Sequence, residues 1–153
     1  MVRTFHEGDL DSADVEALLA FHFESMRSSS PPEACHVLAP DDLRAPGITF
    51  WSVREDGRLL GVGALKELGP AHAEVKSMRT AADSLGRGVG RSMLDHLLAE
   101  ARRRGYALLS LETGSTAEFE AALRLYESAG FRPCGPFGGY APTPFTRFLS
   151  RPL

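Results

Sequence analysis

Between Leu85 and Ser92 the chain reads Leu85-Gly86-Arg87-Gly88-Val89-Gly90-Arg91-Ser92. Three glycines at alternate positions strip Cβ atoms from one stretch of backbone, so an anion can approach several N–H groups at once. The residues beyond have helical spacing, and the positive end of a helix favours negative charge, above all phosphate. On spacing alone the same glycines would also serve as a tightly packing turn. A nucleoside-triphosphate loop is excluded, since it ends in Gly-Lys-Ser or Gly-Lys-Thr, whereas this segment ends in Gly90-Arg91-Ser92 and has Leu85 in place of the first glycine. A dinucleotide fingerprint is excluded as well: Met93 stands where its third small residue belongs, and hairpin signals rather than a parallel unit come before it. The five histidines show no His-Glu-x-x-His or comparable spacing, so no metal is expected.

Such a turn needs a strand before it and a helix after it. Val89, Met93, Leu94, Leu97, Leu98 and Ala101 mark the apolar face of that helix, which ends at Arg102-Arg103-Arg104 and Gly105. Upstream, residues 48–54 and 58–65 read as strands joined by Asp56-Gly57, a pair suited to a tight hairpin turn. Residues 72–80 form a third strand, whose alternation predicts Glu74, Lys76, Met78 and Thr80 on one face. Residues 2–6 suggest an opening strand. A helix over 11–26 follows, with Val15, Leu18, Leu19 and His22 at helical spacing and Asp11 or Ser12 as its cap. The stretch 27–47 is loop chemistry, with at most a short helix near 41–44. Downstream, residues 106–113 predict a buried strand, and Ser115-Thr116-Ala117-Glu118 a capping box opening a helix with Phe119, Ala122, Leu123 and Tyr126. Closing strands are expected at 131–134 and 145–149.

The 153 residues suit one domain spanning 1–153. A hydrophobic fraction of 43% and a charged fraction of 24% match globular averages and argue against disorder. The net charge of −3 offers no field to hold a nucleic acid. No run of about 18 apolar residues suggests a membrane span, and the N-terminus lacks the pattern of a signal peptide. Cys35 and Cys134 form no Cys-x-x-Cys pair and read as free thiols, so a cytoplasmic location is expected.

The glycine segment, between a hairpin-fed strand and a long helix, resembles the signature of the GNAT N-acetyltransferases: Arg or Gln, two residues, Gly, one residue, then Gly or Ala. Leu85 departs from it at the first position. A second family signature, Leu-Tyr followed by Gly-Phe, is matched by Leu125-Tyr126-Glu127-Ser128-Ala129-Gly130-Phe131. Further segments, among them Lys76-Ser77-Met78-Arg79-Thr80, Leu111-Glu112-Thr113-Gly114 and Cys134-Gly135-Pro136-Phe137-Gly138, resemble a bacterial subgroup of small GNAT proteins. The likeness covers nearly the whole chain. It implies an α/β fold of the α+β kind. In that fold a mostly antiparallel six- to seven-stranded sheet with about four helices has strands that splay at the cofactor cleft.

The resemblance further implies acetyl-coenzyme A as cosubstrate and a primary amine, here taken as a small molecule, as acceptor. Met78, Arg79 and Thr80 would bind pantetheine through their backbone, and Gly86 through Ser92 would hold pyrophosphate, with Arg87 and Arg91 offering charge in place of the side chain lost at Leu85. Tyr126 is the candidate general acid, since a phenol of pKa about 10 stays protonated at neutral pH; its spacing with Phe119 and Leu123 equally fits a core residue. Glu74 is the candidate base, with Glu112 behind it. Glu33, His36 and Trp51 are candidate acceptor contacts. The alternative is an acyl-coenzyme A binding or regulatory module with weak turnover. A homodimer through the last strand is expected by analogy.

Overall fold

Asp56-Gly57 reverses the chain with positive φ at both residues, 52° and 78°, a geometry whose twist matches that of the strands it joins. Those strands are β2 (Ile48–Glu55) and β3 (Arg58–Gly69), and β4 (His72–Thr80) follows antiparallel to β3. With β1 (Arg3–Glu7), β5 (Leu108–Gly114), β6 (Arg132–Pro133) and β7 (Thr146–Pro152) they form a seven-stranded sheet in the order β1-β2-β3-β4-β5-β7-β6. This computed structural model describes residues 2–153; Met1, first residue of the segment read above for a signal peptide, lies outside them. Among the described residues only β4 and β5 pair in parallel.

Among the described residues three α-helices cover the sheet: α1 (Ala13–Ser29), α2 (Val89–Arg103) and α3 (Glu120–Ser128). The segment read as loop 27–47 gives its first residues, to Ser29, to α1 and otherwise only the short 3-10 turns Pro32–Ala34 and Pro40–Arg44, because its prolines leave no room for a longer helix. The six apolar residues predicted for α2 are all buried, against Trp51, Val53, Leu65, Val75, Leu109 and Leu111. Each fully buried Leu or Met is worth roughly 1.5–3 kcal/mol, so this face alone anchors the helix. On the other side of the sheet, Val15 and Leu19 of α1 pack on Phe50, Leu59, Val62 and Ala64. Arg54 of β2 fixes α1 by donating to both carboxylate oxygens of Asp14, at 2.7 and 2.8 Å.

Both expected caps are altered. Ser12 stands at the N-cap of α1, but its hydroxyl donates to Asp9. No capping box forms at 115–118, because Ser115 donates to the Pro144 carbonyl at 3.1 Å and the chain makes a 3-10 turn before α3 begins. Both cysteines are free, and no helix among the described residues is long and apolar enough to cross a membrane.

The feature that opens the sheet is a bulge in β4. Val62 pairs with Arg79 and Ala64 with Lys76, so Ser77 and Met78 together oppose Gly63. Ser77 takes up the extra residue in the left-handed region, at φ 55°. Gly63 must lack a side chain, because a Cβ there would lie 2.7 Å from Cγ of Met93 on α2. The bulge also corrects the predicted alternation. Glu74 and Lys76 share a face, but beyond Ser77 the faces exchange: Met78 packs on the α2-side core with Val75, and Arg79 turns to α1.

Candidate active site

β4 and β5 pair only over His72–Glu74 and Leu108–Ser110, and then part. A cavity of about 460 Å³ fills the opening between them, walled by α1, the loop 34–38 and α3. Its β4 wall is the bulge itself. Backbone groups of Ser77 to Thr80 that would have paired with a neighbouring strand face this space, and the buried Ser77 hydroxyl has no hydrogen-bond partner. Unpaired backbone groups along this wall are able to receive an extended polar arm.

At one end of the cavity stands the glycine turn. Gly86 and Gly88 adopt φ 75° and 74°, and a Cβ on either would project into open space where a ligand would lie. The first helical bond of α2 runs from the Ser92 N–H to the Gly88 carbonyl, at 3.0 Å, leaving the preceding N–H groups unclaimed by the helix. Arg3 braces the turn from β1, donating to the carbonyls of Arg87 and Gly88 at 2.6 and 3.2 Å and to the Ser92 hydroxyl at 2.7 Å. The carbonyls are thereby held back and the N–H groups left free. Arg87 and Arg91, the side chains expected to offer charge here, form ion pairs at the turn's edge, with Glu55 at 2.8 Å and Asp95 at 3.0 Å. What the turn offers is free backbone N–H groups at the head of α2, and Leu85, two-thirds exposed, adds no polar side chain at its first position.

Deeper in, five polar side chains from four segments meet. The Tyr140 hydroxyl donates to Glu74 at 3.0 Å, and Lys76 lies 3.5 Å from the same carboxylate. The Lys76 ammonium also donates to the His36 carbonyl at 3.0 Å and to Tyr140 Oη at 3.2 Å. His36 stacks on the Tyr140 ring at 4.4 Å and points Nδ1 at both oxygens of Glu112, at 2.8 and 2.9 Å. Glu74 is wholly buried, and burial raises its pKa against the opposing pull of Lys76 and Tyr140. Because a carboxylate can only accept, Glu112 holds His36 in the tautomer with the proton on Nδ1, and the ring belongs to the cavity lining. Sequence reasoning passed over Lys76, although its alternation with Glu74 was visible, and Tyr140, whose Gly- and Pro-rich loop carries no periodicity.

Tyr126 stands on the α3 side. Its ring packs edge-on against Phe131 at 6.1 Å while the half-buried side chain borders the cavity. Burial pushes its phenol up to about 12, against a pull from Arg79. It is thus a wall residue and a core residue at once. Met78, Arg79, Thr80 and Gly90 border the same space. Of the acceptor candidates, His36 reaches the cavity. Glu33 is exposed and is not among the lining residues, and Trp51 lies in the α2-side core, with Arg104 over its ring at 5.4 Å. Trp51 pairs with Gly63, whose Cβ direction points at Met93 of α2, so its ring lies on the α2 face of the sheet.

His22, on α1, is buried and accepts from Arg79 Nε at Nδ1, 2.9 Å. Burial first, then the charges of Arg79 and Lys76, lower its pKa to about 4. Below pH about 6.5 the unfolded chain protonates this histidine while the folded one does not, so its contribution is complete above 6.5 and is lost as pH falls towards 4. That loss amounts to roughly 3 kcal/mol. His72 and His96, also lowered by burial, add in the same sense, whereas Glu74, raised, opposes them. The difference in urea midpoint between the native chain and His22→Gln isolates the effect. It should shrink steadily from pH 7 to pH 4.5, and a constant difference would show that His22 titrates normally.

Strands that part at a bulge, beside a glycine turn and a helix head, are the arrangement of an acetyltransferase. The chain belongs to the acetyltransferase (GNAT) family, whose model matches residues 14–131. It is 50% identical over 145 residues to the uncharacterized N-acetyltransferase YsnE of Bacillus subtilis, covering 95% of this chain and 96% of that one. It is 47% identical over 150 residues to the uncharacterized N-acetyltransferase YedL of Escherichia coli, covering 98% and 94%. Its fold matches an acetyltransferase of Bacillus subtilis solved in complex with CoA, with a TM-score of 0.76 and 16% identity over 99% of each chain.

Proposed function

We propose that this protein transfers the acetyl group of acetyl-coenzyme A to a primary amine of a small molecule, by direct attack in a ternary complex. The observation that carries the reading is a single cavity with a bulged strand along one wall, the Tyr126 phenol on another, and the His36–Glu112 pair across from it. An acetyl thioester is already activated, so what remains is to align a neutral amine, stabilise the oxyanion and protonate the departing thiolate. Amines of pKa about 10 arrive charged. His36 Nε2, its tautomer set by Glu112, accepts the proton, and Glu74 holds Lys76 and Tyr140 behind it rather than meeting the amine itself. A backbone N–H at the bulge polarises the thioester carbonyl, and Tyr126 protonates the thiolate, whose basicity burial raises together with that of the phenol.

The test is release of free coenzyme A thiol against a panel of amines. Release that depends on the amine is expected, and saturable coenzyme A binding without release from any amine would instead favour a binding module. With a working acceptor, His36→Gln should lower kcat roughly 100-fold. Unchanged turnover would return the role of base to Glu74.

A further inference from the structure

The two cations of the cavity wall are treated differently by the fold. Lys76 is fully occupied, with Glu74, Tyr140 Oη and the His36 carbonyl around it. Arg79 is not. Among the described residues it pairs with no carboxylate; Nε donates to His22 Nδ1, and the Phe21 ring lies 5.6 Å from the guanidinium carbon. Burial lowers its pKa, opposed only by the Tyr126 phenol and by no carboxylate. A guanidinium stays protonated under all ordinary conditions, so a half-buried cation is being held without a protein counter-ion.

His22 explains how it is held. A neutral imidazole accepting at Nδ1 fixes the rotation of the guanidinium and leaves Nη1 and Nη2 as a fork of donors, in a wall to which His22 also belongs. A fork with its inner edge clamped and its outer edge free matches the two oxygens of a carboxylate. Resting on the acetyl-transfer reading above, we propose that the acceptor is an amino acid, whose carboxylate Arg79 receives through Nη1 and Nη2 while its amine is presented towards His36. His22 is then a positioning residue that acts through Arg79. The bulge at Ser77 makes this possible, because without it Arg79 would lie on the opposite face of β4.

The test is calorimetric titration of the coenzyme A-saturated protein with a panel of α- and ω-amino acids and their matched carboxamides. For the best-binding pair, the acid should bind at least roughly 30-fold tighter than its amide, the loss expected when a charge-assisted pair is removed. Arg79→Gln should bring that ratio close to one, and Arg79→Lys, which keeps the charge but loses the fork, should leave it in between. Since each ratio is taken within one protein, a general weakening by the substitution cancels. A native ratio near one, a ratio that neither variant changes, or no binding by any acid overturns the proposal. So does selective loss of coenzyme A affinity in Arg79→Gln, which would assign the guanidinium to the cosubstrate. Acid selectivity without thiol release would retain the subsite and sink acetyl transfer, so the two readings fail separately.

Discussion

Tyr126→Phe should lower kcat by roughly 100- to 1000-fold, the range typical of a lost general acid. Its effect on coenzyme A affinity should be small, because the substitution removes one oxygen and keeps the ring that packs on Phe131. Stability should barely change. The pKa of the phenol is raised by burial and pulled only by the charge of Arg79, with no hydrogen bond to lose. Because the ring and its packing are kept, the single-turnover rate is the readout that separates an acid from a core tyrosine, which would leave that rate unchanged. Because the phenol stays protonated up to about pH 12, turnover by the native protein should show no alkaline decline from this group below about pH 11. A single-turnover rate equal to that of the native protein would remove Tyr126 from the mechanism.

Gly88→Val should cost at least roughly 100-fold in coenzyme A affinity, since it threatens several charge-assisted N–H contacts at once. Two effects combine. At φ 74° a branched residue is strained by about 1–2 kcal/mol, so the turn relaxes and the N–H groups lose their common direction. The added side chain also projects into the open space where the anion would sit. The chain should still fold, because nothing lies within 4 Å of a Cβ at this position and the core face of α2 begins only at Val89. Titration of the folded variant with coenzyme A checks this, and native affinity would mean that the pyrophosphate is held elsewhere. Gly63 offers a contrast: a Cβ there strikes Met93, so substitution should unfold the protein rather than empty the cradle.

Much of the fold was legible where the cause is local. Asp56-Gly57 sets a hairpin by its own φ preferences, and the apolar positions of α2 declare their face within four turns. The same reasoning failed at Ser77. A bulge arises from how β4 meets β3 at Gly63 and how α2 presses on that glycine, and no pattern within β4 announces it. The predicted face of Met78 was wrong for that reason. The expected caps at Ser12 and Ser115 likewise lost their hydroxyls to Asp9 and to the Pro144 carbonyl, the second of these 29 positions along the chain.

The site divides along the same line. The glycine cradle and Tyr126 stood out in the chain because each is contained in one strand-turn-helix segment, where backbone conformation and helical spacing are governed by near neighbours. The group of His36, Glu74, Lys76, Glu112 and Tyr140 did not stand out, with partners up to 76 positions apart. Only the folded sheet decides that grouping. It lays β4 beside β5, parts them beyond Glu74, and lets two loops close over the charges that the parting exposes. Buried charge must find partners wherever the fold brings them, and sequence spacing carries no record of that search.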